Sequence, residues 1–445
     1  MTDHTCLERL PDEVLLQICR YLRGADVFYS FYNLNSRLNT TIAGYCRYIN
    51  IMSVSHKQFE YSVLHVLPHI GYLVRSFVLN GNWETIVNER LSSVLFSRNF
   101  PLLFPQLQRL IIKWFTRDKF LSFIEILQDC SQLIQLDLRF LKGDSIDLLR
   151  SNILSANRNQ LEMISFDHDS LDFDISENDS TIAYPNIRQL SINLTSNQLL
   201  SRLFSLIPNV CHLIVNTDEL SDGAESKSTL NNLSILIHLT SFKLRSVNLF
   251  WTFDEIHQIL KSMPNLEKLT IDLRTDDKRL AIEQNLNEIL PSSVTKLDFF
   301  VRYYYPQPRY ANEISTCLSS TCLPIVSLLD KSRSRFLLHT VPCDLNSMIL
   351  TGTISKQMLT GWKYTQQIED LYIYDVTSLM DLISILQHFR RLRTLSIDTK
   401  DKSQICKSIF LRIERNISID DIISNTNGRM FIIKNVFAIT SFETD

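Results

Sequence analysis

The sequence predicts an α/β fold, with a short all-α N-terminal segment followed by a curved array of strand-helix units. Three observations carry that expectation. Two amphipathic helical patterns fill the first forty residues, an apolar L-x-I pair recurs along most of the remainder, and helical spacing fills the intervals between pairs. Composition narrows the field further. The 445 residues contain 66 Leu and only 9 Gly, and no two glycines lie closer than nine residues. Phosphate-cradling loops need several Gly in a short span, so neither a G-x-x-x-x-G-K-[ST] loop nor a G-x-G-x-x-G fingerprint exists. A formal net charge of −3 argues against a general nucleic-acid binder.

The first element is a helix opening at Leu10-Pro11-Asp12-Glu13. Proline suits the first helical position because its missing N–H would be unpaired there anyway. Asp12 and Glu13 then meet the positive end of the helix dipole. Val14, Leu15, Ile18 and Leu22 follow at helical spacing, Gly24 ends the element, and Asp26 can cap a second helix through Val27, Phe28, Phe31, Leu34 and Leu38. Two helices of this size bury too little surface to stand alone, so they must dock on the chain or on a partner.

These residues resemble an F-box. The resemblance rests on Leu10-Pro11-x-Glu13-Val14-Leu15-x-x-Ile18-x-x-Tyr21-Leu22, then Asp26-Val27, then Asn35-Ser36-Arg37-Leu38, and covers roughly a tenth of the chain. Leu38 stands where the family commonly has Trp. F-boxes bind the Skp-family adaptor of cullin–RING ubiquitin ligases. The resemblance implies an adaptor contact made by Leu10, Pro11, Val14, Leu15, Ile18, Leu22 and Val27. The alternative is an ordinary amphipathic cap on the array.

The array comes next. Pro105-Gln-Leu107-Gln-Arg-Leu110-Ile-Ile112, Pro185-Asn-Ile187-Arg-Gln-Leu190-Ser-Ile192 and Pro264-Asn-Leu266-Glu-Lys-Leu269-Thr-Ile271 share one form. The pairs begin at 77, 110, 136, 164, 190, 213, 242, 269, 297, 348, 371 and 395, mostly in steps of 23–29, with one of 33 and one of 51. That beat is similar to degenerate leucine-rich repeats of the helix-containing kind. Helices are expected after Thr116, Ser196, Thr252 and Ser378; Thr252-Phe-Asp-Glu255 is a capping-box match. The fold so read is an N-terminal all-α F-box (1–48), a helical linker or first degenerate repeat (49–76), and a curved βα leucine-rich-repeat solenoid (77–398). An irregular insertion falls at about 301–347, and a C-terminal cap covers 399–445. Asn427-Gly428 suits a hairpin turn inside that cap.

Other features are weighed and set aside. Carboxylates from Asp167 to Asp179 lack the Gly of a calcium loop and read as a solvated acidic loop. The Tyr303–Tyr305 cluster suits either an interface or packing on the adjacent unit. Ten dispersed His show no metal spacing, and no G-x-S-x-G elbow exists, so no enzyme, metal or cofactor is expected. No apolar run is long enough to span a membrane. No secretory signal is visible, and nine scattered Cys without a C-x-x-C pair suit reduced thiols in cytoplasm or nucleus.

The resulting expectation is a substrate-recognition adaptor of a Skp–cullin–F-box ubiquitin ligase. Its partners would be a Skp-like adaptor, through it a cullin, and a target protein; neither nucleic acid nor membrane is expected. Side chains beside the L-x-I positions would line a concave target-binding face, with Lys113, Arg139, Arg245, Asp272, Phe300, Tyr372 and Tyr374 as candidates. The rival is a protein-interaction scaffold without any ligase.

Overall fold

A computed structural model describes residues 10–22, 24–45, 47–50, 55–80, 99–115, 117–141, 153–154, 160–167, 170, 173, 183–217, 230, 233–304, 325–330, 335–340, 345, 347–351, 354, 368–374, 394–398, 408–412 and 439–442. The fold is α/β, built on a large, mostly parallel sheet of twelve strands with few helices. This corrects the expected architecture of a separate all-α N-terminal domain followed by a curved leucine-rich-repeat solenoid. The physical reason lies in β1 (Tyr48–Asn50), which pairs in parallel with β2 (Ser76–Asn80). The N-terminal helices therefore lead directly into the first strand of the large sheet.

The remaining strands of that sheet are β3 (Arg109–Lys113), β4 (Gln135–Arg139), β5 (Met163–Phe166), β6 (Gln189–Leu194), β7 (His212–Thr217), β8 (Ser241–Phe250), β9 (Lys268–Thr275), β10 (Lys296–Tyr304), β11 (Ile325–Asp330) and β12 (Arg335–Thr340). Their spatial order follows the chain from β1 to β10, then β12, then β11. A second sheet holds β13 (Ser347–Thr351), β14 (Asp370–Tyr374), β15 (Thr394–Asp398), β16 (Ser408–Arg412) and β17 (Ile439–Phe442) in sequence order. All twelve L-x-I pairs fall on strands. Their register is direct: Phe77 lies opposite Leu110, Leu110 opposite Leu136, Leu136 opposite Ile164, and Ile164 opposite Leu190.

The chain divides into two compact units. The first comprises Met1–Lys243 and Ser262–Leu266. It opens with α1 (Asp12–Arg20), α2 (Gly24–Phe31) and α3 (Ser36–Tyr45), followed by α4 (His56–Tyr61). Arg37 fastens the start of α1, donating to the Leu10 carbonyl and pairing with Asp12 at 2.7 Å. Asn35 caps α3 by accepting from the Leu38 amide at 2.8 Å, leaving one fewer unpaired donor at the helix start. Leu15, Val27, Phe28, Leu38 and Ile42 are buried among these helices. Farther along, α5 (Leu67–Ile70), α6 (Phe100–Leu103), α7 (Arg117–Leu127) and α8 (Leu199–Leu206) carry apolar side chains to the strands. Phe100 meets Phe77, Phe104 and Phe123 at ring separations of 6.5, 4.8 and 5.2 Å. Aromatic burial of this kind is a large part of such a core.

The second unit comprises Leu244–Lys261 and Glu267–Asp445. Its α9 (Phe253–Lys261) lies between β8 and β9, and α10 (Glu283–Ile289) connects the parallel strands β9 and β10. The capping box at the start of α9 is formed in both directions, Thr252 Oγ1 receiving the Glu255 amide and Glu255 receiving the Thr252 amide. The expected irregularity after residue 301 begins as a change of direction. β10 pairs in parallel with β9 but antiparallel with β12, which is also antiparallel to β11. Asn427-Gly428 and the helix expected after Ser378 lie outside the described residues.

Candidate functional site

The candidate residues fall on α1 and on the strands of both sheets. On α1, periodicity places two apolar stripes on different sides. Leu15 and Cys19 turn inward and are buried. Val14, Ile18 and Tyr21 follow at helical spacing on the other side, with Val14 41% and Tyr21 89% exposed and Ile18 half-buried. Pro11 is exposed, Leu10 half-buried and Leu22 36% exposed. Of the seven proposed adaptor contacts, Leu15 and Val27 are therefore core residues of the helical segment; the other five reach the surface. An exposed apolar stripe on a helix that already buries a second one is the pattern of an unfilled contact.

The first unit also holds Lys113 and Arg139 at the C-terminal ends of neighbouring strands, paired in register. Arg139 is not free to recognise a ligand by itself, since its guanidinium grips buried Asp137 with two hydrogen bonds of 3.2 and 2.8 Å. That carboxylate holds the Arg139 pKa above its ordinary value. Just beyond, Trp114 and Phe140 stack in parallel with centroids 3.9 Å apart, and both adopt left-handed backbone conformations, φ 61° and 54°. Such φ values are uncommon for bulky residues, so the stack is held against local preference.

In the second unit, strand register gathers charge on one sheet face. Asp272 lies opposite Phe300 and Arg274 opposite Arg302 across β9 and β10. Alternation places these four on the face opposite Leu269, Ile271 and Leu273. Asp272 is buried and accepts a hydrogen bond from Arg302, itself buried, while Arg245 Nε on β8 stands 3.5 Å from its second oxygen. Arg274 is held differently. Its guanidinium lies 3.9 Å from the Phe250 ring centroid and 4.2 Å from that of Tyr304, in cation–π contact with both. Burial first, then the charges of Arg302 and Arg335, lower the Arg274 pKa from its ordinary value, with Tyr304 and Asp276 opposing. Arg335 donates to the Tyr304 hydroxyl at 3.0 Å. Among the described residues, four buried nitrogens of this group, Arg245 Nε, Arg274 Nε, Arg302 Nε and Arg302 Nη1, have no hydrogen-bond acceptor.

Sequence reasoning thus names Arg245, Asp272 and Phe300, which the fold does bring together. Asp272 and Phe300 are buried, so they shape the face and do not touch a partner. It misses Arg274 and Arg302, whose signal was present: both sit two residues beyond a named position on the same strand face. Tyr372 is half-buried on β14, and Tyr374 is at the C-terminal end of that strand. Asp167 is occupied structurally, accepting from the Phe140 amide at 3.0 Å and from the Ser170 hydroxyl. Most of the acidic run after it lies outside the described residues. Among the described residues, no cluster of His, Cys, Asp and Glu is placed to hold a metal ion, and no helix is long and apolar enough to cross a membrane. No protein-family model matches the chain, and no curated protein is similar to it. The F-box resemblance therefore rests on the N-terminal residues themselves.

Proposed function

We propose that the chain is a substrate-recognition subunit of a Skp–cullin–F-box type ubiquitin ligase. In this reading α1 docks on a Skp-like adaptor, a strand face holds the target protein, and other subunits transfer ubiquitin. The chain supplies proximity and orientation, in cytoplasm or nucleus. The observation that carries the proposal is the second apolar stripe of α1: Pro11, Val14 and Ile18 match the F-box pattern and reach the surface. Helix-in-groove recognition uses anchors at this spacing.

A scaffold without a ligase is the competing reading, favoured by one observation. β1 joins the large sheet, as expected of helices that merely close its end. A pull-down separates the two. Purified Skp-like adaptor should retain the wild-type chain and lose it when Val14→Asp and Ile18→Asp are combined, since an unpaired charge in an apolar contact costs several kcal/mol. Failure of the wild-type chain to bind would sink the ligase reading. Unchanged binding by the double variant would remove α1 from the interface.

A further inference from the structure

The helix that carries the apolar surface stripe is lightly held at its start. α1 turns Leu15 and Cys19 inward, but Pro11, Asp12, Glu13 and Val14 are all exposed. Among the described residues, no side chain caps the helix at Pro11. The group that reaches this turn comes from α3. The Arg37 guanidinium donates to the Leu10 carbonyl and, through Nε at 2.9 Å, to Asp12 Oδ1, with Nη2 2.7 Å from the same oxygen. One planar fork thus grips the residues on both sides of Pro11, a geometry that a point charge matches poorly. Arg37 is itself held in place. Asn33 takes a left-handed backbone, φ 65°, and its amide donates to Asn39 Oδ1 at 2.7 Å, while the Asn35 side chain receives the Leu38 amide. Two asparagine side chains therefore fix the turn from which α3 starts, and Arg37 lies in the first turn of that helix.

We infer that Arg37 is a positioning residue for adaptor docking, acting through Leu10 and Asp12 to hold the first turn of α1 in its binding-competent form. The pair is too exposed to matter much for global stability, with 45% and 50% of the two side chains open to solvent. Its effect is local. A frayed first turn would carry Pro11 and Val14 out of line with Ile18, and helix-in-groove recognition needs all three on one face. Apparent affinity scales with the fraction of chains in which that face is intact. Holding it beforehand also spares the cost of ordering it on contact. This inference rests on the reading of α1 as the adaptor-binding helix. It deepens that reading by naming the group that controls the presentation of the stripe.

Two measurements on the full-length chain test it. The first is hydrogen exchange by mass spectrometry on the peptide spanning residues 10–22, without any partner. The amides of Val14 and Leu15 both donate to the Pro11 carbonyl, so loss of the clamp should speed their exchange. Arg37→Ala should accelerate this peptide while the urea midpoint of the whole chain stays unchanged, and Arg37→Lys should restore part of the protection. The second is calorimetric titration with purified Skp-like adaptor. Arg37→Ala should weaken binding about 3- to 10-fold, with Arg37→Lys between it and wild type. Wild-type affinity in Arg37→Ala, or unchanged exchange in the 10–22 peptide, overturns the inference and leaves the ligase reading standing. A lowered urea midpoint that accounts for the whole loss of affinity also overturns it, since the role would then be structural. Failure of the wild-type chain to bind the adaptor overturns the ligase reading, and this inference with it.

Discussion

Asp272 is the residue on which the charged face of the second unit turns. Its carboxylate is 1% exposed and answers Arg302, which is 5% exposed. Removing one partner of a buried pair strands the other charge in a medium that solvates it poorly. Asp272→Ala should therefore cost about 3–5 kcal/mol, read as a lower urea midpoint with unchanged slope. Replacing both, as Asp272→Leu with Arg302→Met, should recover most of that loss, because the stranded charge goes too. His339 offers a pH handle on the same unit. It is fully buried, its Nδ1 lies 2.9 Å from the Thr340 carbonyl oxygen, and burial pushes its pKa below the usual histidine value, that contact opposing. An unfolded histidine, at about 6.5, takes up a proton before the folded one does. Its stabilising contribution is thus complete above about pH 6.5 and is lost as pH falls from there toward the folded value. Urea midpoints between pH 7.5 and 5.5 should fall in the wild-type chain and fall less in His339→Gln.

At the scale of elements, what was legible depended on whether the signal is local. The capping box of α9 is a contact within four residues, and Thr252 and Glu255 announce it in sequence. Thr252→Ala should cost about 1 kcal/mol in a denaturation series. Gly71 is the opposite case. A methyl group there would stand 2.5 Å from the Leu103 carbonyl oxygen, on the backbone of α6, which cannot swing aside. Nothing near Gly71 in sequence reveals that approach, because the obstructing atom is thirty-two residues on. Overpacking predicts a loss of about 1–3 kcal/mol for Gly71→Ala by thermal or urea unfolding. A neutral result would mean that the turn Gly71–Leu73 moves as a body. The two sides of α1 divide similarly. Helical spacing marked Val14, Leu15, Ile18 and Leu22 as one apolar group. Only the packing against the other helices could sort buried Leu15 from exposed Val14.

Across the molecule, the L-x-I pairs were readable because each strand repeats the same alternation and finds its partner one step along the chain. β1 was not, because three residues carry no periodicity and its partner begins at Ser76. The antiparallel turn of β12 onto β10 was hidden too: the apolar run at 336–338 has no alternation to mark a direction. Consecutive pairing has a mechanical consequence. Leu136 is fully buried on β4 with Leu110 on one side and Ile164 on the other, both also buried. Leu136→Ala leaves a cavity worth about 2–5 kcal/mol. That cavity is flanked by the strands next along the chain, so the damage should be graded along the sheet. Backbone amides of β3, β4 and β5 should exchange hydrogen fastest relative to wild type, with β7 less affected, because local opening draws on local stability. Hydrogen-exchange mass spectrometry resolves this strand by strand. Equal acceleration from β2 to β7 would instead mean that the first unit opens in one step, and that sequential pairing sets the order of strands without dividing their stability.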